Sequence, residues 1–289
     1  MLDFPMIDAH VHLWDPAALR YPWLDDIPLL NKPHLPDDFH GASAGTEVGG
    51  MVFVQCECLP SQALDEVRWV NTLAQTDLAI LGIVAYAPLE NGEAARADLE
   101  ALKYFKLVKG VRRIIQFEED MEFCLRPDFI KGVRMLPEFG YTFDLCVSHA
   151  QMPNMIRFVA QCPGVRFMLD HIGKPDIKGG LTEPWKSDLR RLASIPDVFC
   201  KISGLVTEAD HSKWNDDDLR PYIDHVIESF GFGRVAFGGD WPVARLATDY
   251  PRWVNALIDL AGTRRESDLR RLFRDNAIDF YGLAEEGVK

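Results

Sequence analysis

Eight short apolar runs rich in β-formers recur along the chain: Met6–His10, Met51–Gln55, Ile80–Tyr86, Val108–Ile115, Thr142–Val147, Val165–Asp170, Val198–Ser203 and Val235–Gly239. Most are nearly continuous rather than alternating, the pattern of strands buried on both faces. Between them the apolar spacing becomes helical. Gln62–Gln75 carries Leu64, Val67, Val70 and Leu73 on one face, and Ala94–Phe105, Pro127–Phe139, Met152–Gln161, Trp185–Leu192, Asp217–Phe230, Tyr250–Ala261 and Glu266–Ile278 read similarly. The strand-to-strand interval after the first run is about 30 residues, the size of a βα crossover unit.

Eight such units predict a (β/α)8 TIM barrel with its active site at the C-terminal ends of the strands. An open doubly wound sheet would want a glycine-rich phosphate loop after the first strand, and His10-Val11-His12-Leu13-Trp14 stands there instead. No linker or low-complexity tract divides residues 1–289, so a single domain is expected. Its one long excursion is a first βα loop at about 13–49, which holds Trp14, Tyr21, Trp23 and His34 and is placed to wall an active site.

Composition narrows the function. With 289 residues and 47% apolar content the chain can bury a large core. Its 31 basic against 44 acidic residues, net −13, argue against nucleic acid or an anionic membrane as partner. No apolar stretch reaches membrane-span length and the N-terminus lacks a signal-peptide pattern, so a cytoplasmic location is expected. The six cysteines show neither zinc-ribbon nor disulfide-framework spacing and read as reduced thiols.

The candidate chemistry lies at the strand ends. His10 and His12 are two apart, so in a strand both point to one side. Gln55 and Glu57 end the second strand, Tyr86 the third, Arg112, Arg113 and Gln116 the fourth, His171 the sixth, Ser203 the seventh and Asp240 the eighth. His149 follows the fifth, which contains Asp144. A carboxylate facing three histidines and an arginine suits hydrolysis: Asp240 takes a proton from water while imidazoles and a guanidinium stabilise a developing oxyanion. Asp144, inside an apolar strand, is expected to pair with Arg112 or Arg113. For His34 and His149 a structural role outweighs a functional one, and Asp240 could equally cap the turn that follows it.

Ile7-Asp8-Ala9-His10-Val11-His12-Leu13-Trp14-Asp15-Pro16, Tyr21-Pro22-Trp23-Leu24, Gly110-Val111-Arg112-Arg113, Asp170-His171-Ile172-Gly173-Lys174-Pro175, Lys201-Ile202-Ser203-Gly204-Leu205 and Gly238-Gly239-Asp240-Trp241-Pro242 together resemble the amidohydrolase superfamily. The resemblance is closest to its amidohydrolase-2 branch, which includes L-fuconolactonase, related sugar lactonases and pyrone-dicarboxylate lactonase. It implies a barrel in which water attacks a lactone carbonyl, with Asp240, His171 and Arg112 catalytic. His10, His12, Trp14, Trp23, Gln116 and Trp241 would bind substrate.

Val111-Arg112-Arg113 stands where binuclear members carry a bridging lysine, and strand five ends without a histidine, so two metals are not expected. A single zinc on His10, His12, His171 and Asp240 is expected to bind without being required. An aldonolactone, L-fuconolactone or a near relative, is the expected substrate. A carboxylated lactone is second, a metal-dependent decarboxylation third, and a non-catalytic sugar-binding barrel last.

Overall fold

The computed structural model describes residues 2–263 and 265–284. Eight parallel strands form one sheet in the order β1-β2-β3-β4-β5-β6-β7-β8: Met6–Val11, Val48–Val54, Ile80–Ala85, Val108–Arg112, Thr142–Leu145, Phe167–Leu169, Val198–Ile202 and Val235–Phe237. The ring closes through a parallel bridge between Val11 and Trp241. His12 N–H donates to the Trp241 carbonyl at 2.8 Å, and Asp240 N–H to the His10 carbonyl at 2.9 Å. This is the (β/α)8 TIM barrel expected from the eight apolar runs.

The strands stop earlier than the apolar runs do. β4 ends at Arg112, after which Ile115 and Gln116 donate their backbone N–H groups to the Cys146 carbonyl. β6 ends at Leu169 because His171 and Ile172 both take positive φ, which no strand accommodates. The helices are also more broken than the periodicity suggests. The segment expected to be helical over Pro127–Phe139 splits into Pro127–Arg134 and Leu136–Phe139, with Pro137 at the start of the second piece. Glu266–Ile278 is instead Glu266–Arg270, a π-turn over Arg271–Asp275, and Asn276–Tyr281.

Two apolar clusters hold the barrel. The larger joins the outward strand residues to the surrounding helices, as in the edge-to-face packing of Phe143, Phe158 and Phe167. The smaller contains Ile7, Ala9, Val52, Val54, Val84, Met168 and Ala236 against Phe280, Tyr281 and Leu283, so the C-terminal helix packs on the lumen residues. The 13–49 segment is not structureless: it contains a short 3-10 turn at Pro22–Asp26 and the helix Pro36–Ala42. None of the described helices is long and apolar enough to cross a membrane.

Candidate active site

The closure of β8 onto β1 assembles the site. Those two backbone hydrogen bonds set Asp240 beside the His-x-His pair, with Asp240 Oδ1 3.5 Å from His12 Nε2 and 3.8 Å from His10 Nε2. The glycines of Gly238-Gly239-Asp240 make this approach possible. A Cβ on Gly238 would lie 2.8 Å from the Cβ atoms of His10 and Ser203, and one on Gly239 would overlap Asp8 and Tyr250. Asp8 anchors the corner by accepting from the backbone of His10 and Gly239 at 2.9 and 2.8 Å and from Tyr250 Oη at 2.8 Å.

Donor and acceptor roles fix the His12 tautomer. His12 Nδ1 lies 2.7 Å from the Val54 carbonyl, which can only accept, so Nδ1 carries the proton and Nε2 presents a lone pair. His10 Nδ1 lies 3.3 Å from the Lys201 ammonium and 3.4 Å from Asp170 Oδ1, and its Nε2 lies 3.1 Å from His12 Nε2 and 3.3 Å from the Arg112 guanidinium. His171 Nδ1 lies 3.0 Å from Ser203 Oγ, and its ring centroid 4.5 Å from that of His10. Gly204 has no Cβ because one would overlap the His171 ring.

Burial shapes the charges. Burial, reinforced by the Lys201 charge, holds His10 well below the usual histidine range, and burial does the same to His171. His12 is also lowered by burial, although Asp240 opposes this. For Asp240 burial works against ionisation, but His171 and His12 beside it win and hold the carboxyl below its ordinary value. The site is therefore an ionised carboxylate among neutral imidazoles.

A cavity of about 570 Å³ opens above these groups, lined by His12, His171, Asp240, Arg112, Gln116 and Trp23 among others. Backbone strain concentrates at it. Of the five non-glycine residues with positive φ among those described, four (Glu57, His171, Lys174 and Asp240) line this cavity. Strain of this kind persists where the surrounding structure overdetermines it, and such positions cluster at functional sites.

Some expected site residues lie elsewhere. Trp14 is fully buried below the cavity wall, its indole N–H donating to the carbonyls of Leu30 and Lys32 at 3.1 and 3.0 Å. Trp241 is buried behind His34 and Phe39. Trp14 within the first loop and Trp241 after β8 pack against that loop, and neither lines the cavity. His10 has no exposed surface and does not line the cavity; its Nε2 lies 3.1 Å from His12 Nε2. His34 sits edge-to-face between Trp14 and Trp241, and His149 Nδ1 lies 3.0 Å from the Lys174 carbonyl.

The two arginines separate cleanly. Arg112 points inward, donating to the Gln55 carbonyl at 2.5 Å and lying 3.3 Å from Asp170 and from His10 Nε2. Arg113 turns outward to Glu90 and Glu118. Asp144 pairs with neither. Its partners are Lys201 at 2.5 Å and Tyr281 Oη at 2.7 Å. Lys201, Asp170, Lys174 and Glu208 were given no role by the sequence reading. Asp170 and Lys174 lie in the His171 motif and Lys201 opens the Lys201-Ile202-Ser203-Gly204-Leu205 motif, so all three stand in segments that carry the family resemblance, whereas nothing in the sequence marks Glu208.

An amidohydrolase family model matches residues 7–283. The chain belongs to the amidohydrolase family. This amidohydrolase is 32% identical over 294 residues to an L-fucono-1,5-lactonase from Burkholderia multivorans, covering 96% of both chains. It is 30% identical to an L-fucono-1,5-lactonase from Burkholderia ambifaria over 96% of this chain and 95% of the relative. A solved Burkholderia multivorans amidohydrolase with bound zinc superposes with a TM-score of 0.87 at 29% identity, covering 97% of this chain and 100% of that one.

The ligand atoms of His10, His12 and Asp240 lie close enough together to hold one metal ion, as do those of His10, Asp170 and His171. The first group fits an ion chemically. The His12 Nε2 lone pair and the Asp240 carboxylate are both acceptors 3.5 Å apart, an arrangement that calls for a cation or a two-proton donor such as water between them. The second group is already served by an internal cation, since Lys201 Nζ lies 3.0 Å from Asp170 and 3.3 Å from His10.

Proposed function

We propose that the protein hydrolyses a neutral lactone, with L-fucono-1,5-lactone and closely related aldonolactones as the leading substrates. The observation that carries this reading is the pair of facing acceptors, His12 Nε2 and Asp240 Oδ1, at the cavity floor. A water held between them is polarised for attack. The similarity to two L-fucono-1,5-lactonases across nearly the whole chain supports the choice of bond.

The chemistry balances with few parts. The water oxygen bonds to the lactone carbonyl carbon as Asp240 takes its proton, giving a tetrahedral oxyanion. Arg112, buried at the base of the cavity, and His171 supply positive or donor character for that oxygen. The ring C–O bond then breaks, and the departing alkoxide takes the proton back from Asp240 to yield the hydroxy acid. His10 and Ser203 position His12 and His171. A zinc ion on His12, Asp240 and His10 would supply Lewis-acid polarisation of the carbonyl.

The cavity's charge separates this reading from a carboxylated lactone. Two cations, Arg112 and Lys174, face three carboxylates, Glu57, Glu208 and Asp240, among the lining residues. A dianionic substrate would need an excess of cations, while Arg113 and Arg126, the other candidates, are engaged by Glu90, Glu118 and Asp120. The test is a panel of 1,4- and 1,5-lactones followed by acid release. Turnover of L-fucono-1,5-lactone supports the reading, and turnover confined to carboxylated lactones overturns it.

A further inference from the structure

The cavity floor is built from His12, Arg112, His171 and Asp240. Above it, beside polar residues such as Glu57, Gln116, Lys174 and Glu208, stand apolar side chains: Trp23 and Ile27 from the first loop, Leu59 after β2, Phe117 after β4, and Val243 and Leu246 after β8. Four separate loops thus send apolar side chains to one opening.

Two of these residues are conspicuously wet. Phe117 is 76% exposed and Leu59 37% exposed, and they account for two of the six large hydrophobic side chains exposed among the described residues. Clustered apolar surface beside a polar site marks a ligand-contacting surface. The cavity of about 570 Å³ also sits within the range of sites that enclose ligands larger than one small ring. An aldonolactone with a hydroxyl on nearly every carbon would leave these apolar side chains unmatched.

We propose that among lactones the site favours amphipathic ones, whose polar ring reaches Asp240 and whose apolar substituent, from one carbon upward, lies against Trp23, Ile27, Leu59, Phe117, Val243 and Leu246. The inference rests on the lactone-hydrolase reading and extends it. The methyl group of a 6-deoxy sugar lactone is the shortest substituent of this kind. The longer the apolar group, the more surface leaves water on binding, by about 0.8 kcal/mol per methylene, or roughly fourfold in kcat/KM.

The experiment measures kcat/KM for a series of 1,5-lactones bearing hydrogen, methyl, propyl or pentyl at the ring carbon that carries the ester oxygen, alongside L-fucono-1,5-lactone. The expected result is a rise of roughly 250-fold from methyl to pentyl, about fourfold for each of the four added carbons. In the double variant F117S/L246N the same ratio should fall below about fivefold. Because the ratio is taken within each protein, a general loss of activity cancels. A flat or falling series with L-fucono-1,5-lactone still turned over overturns this proposal alone. A steep series untouched by the double variant overturns the placement of the substituent. No hydrolysis of any lactone overturns the lactonase reading and this proposal with it.

Discussion

Lys201 Nζ on β7 meets Asp144 Oδ2 on β5 at 2.5 Å, with neither side chain exposed. Burial opposes the lysine's charge, but Asp144 and Asp170 flank the ammonium and keep it protonated above its ordinary range. Lys201→Met removes the cation and leaves two buried carboxylates beside each other. The expected cost is about 3–5 kcal/mol of unfolding free energy, read from urea denaturation. The double variant K201M/D144L should recover a large part of that loss; no recovery would show that the ion pair is not what the single variant breaks.

Asp240→Asn keeps the shape of the floor and removes the proton acceptor. Lactone kcat/KM is expected to fall by roughly 10²–10⁴, with the melting temperature close to that of the parent protein. Retention of more than a tenth of the activity would remove Asp240 from the role of general base.

Metal removal separates binding from need. Exhaustive chelation and dialysis should leave lactone hydrolysis largely intact, because Asp240 and the floor donors act without an added Lewis acid. Zinc titrated into the stripped protein should bind at one equivalent, and His12→Gln should weaken that binding at least about tenfold, as expected for loss of one ligand. Activity that vanishes on chelation and returns with zinc would contradict the first statement.

Glu66 offers a pH signature away from the site. Burial raises its pKa from 4.5 to about 8. Between those values the folded protein holds a proton that the unfolded chain has lost, so the stabilisation is full below pH 4.5 and drains away as pH rises to 8. The stability of Glu66→Gln relative to the parent should therefore rise by up to about 4 kcal/mol between pH 5 and pH 8. Denaturant midpoints of the two proteins across pH check it, and parallel profiles would show that Glu66 ionises normally.

Trp14→Phe tests whether Trp14 serves packing or substrate. It frees the Leu30 and Lys32 carbonyls and should cost about 1–3 kcal/mol in stability. Trp23→Phe, at the cavity itself, should instead raise KM for the preferred lactone. A KM effect of equal size from both would place Trp14 at the substrate.

How far the sequence could be read depended on the range of the interaction. The barrel was legible because an apolar run and a helical run are local patterns, and the His-x-His pair and Gly-Gly-Asp were legible because each lies on one strand end. The strand ends and helix breaks were not, since left-handed turns at His171 and Ile172 and the π-turn at Arg271–Asp275 are fixed by packing around them. The tryptophans were not separable for the same reason: Trp14, Trp23 and Trp241 have one chemistry, and of the three Trp23 lines the cavity.

The sequence by itself determined the repeating βα architecture, the family and most of the chemical groups at the cavity floor, because periodicity and short motifs are carried by neighbours in the chain. The tertiary structure alone decided that Asp144 pairs with Lys201 rather than an arginine, that Arg112 and not Arg113 faces inward, and that the His12 lone pair meets the Asp240 carboxylate. Each of those outcomes is set by which side chains the closed barrel brings within hydrogen-bond reach across tens to hundreds of residues. Distance in space at that range leaves no local trace in the chain.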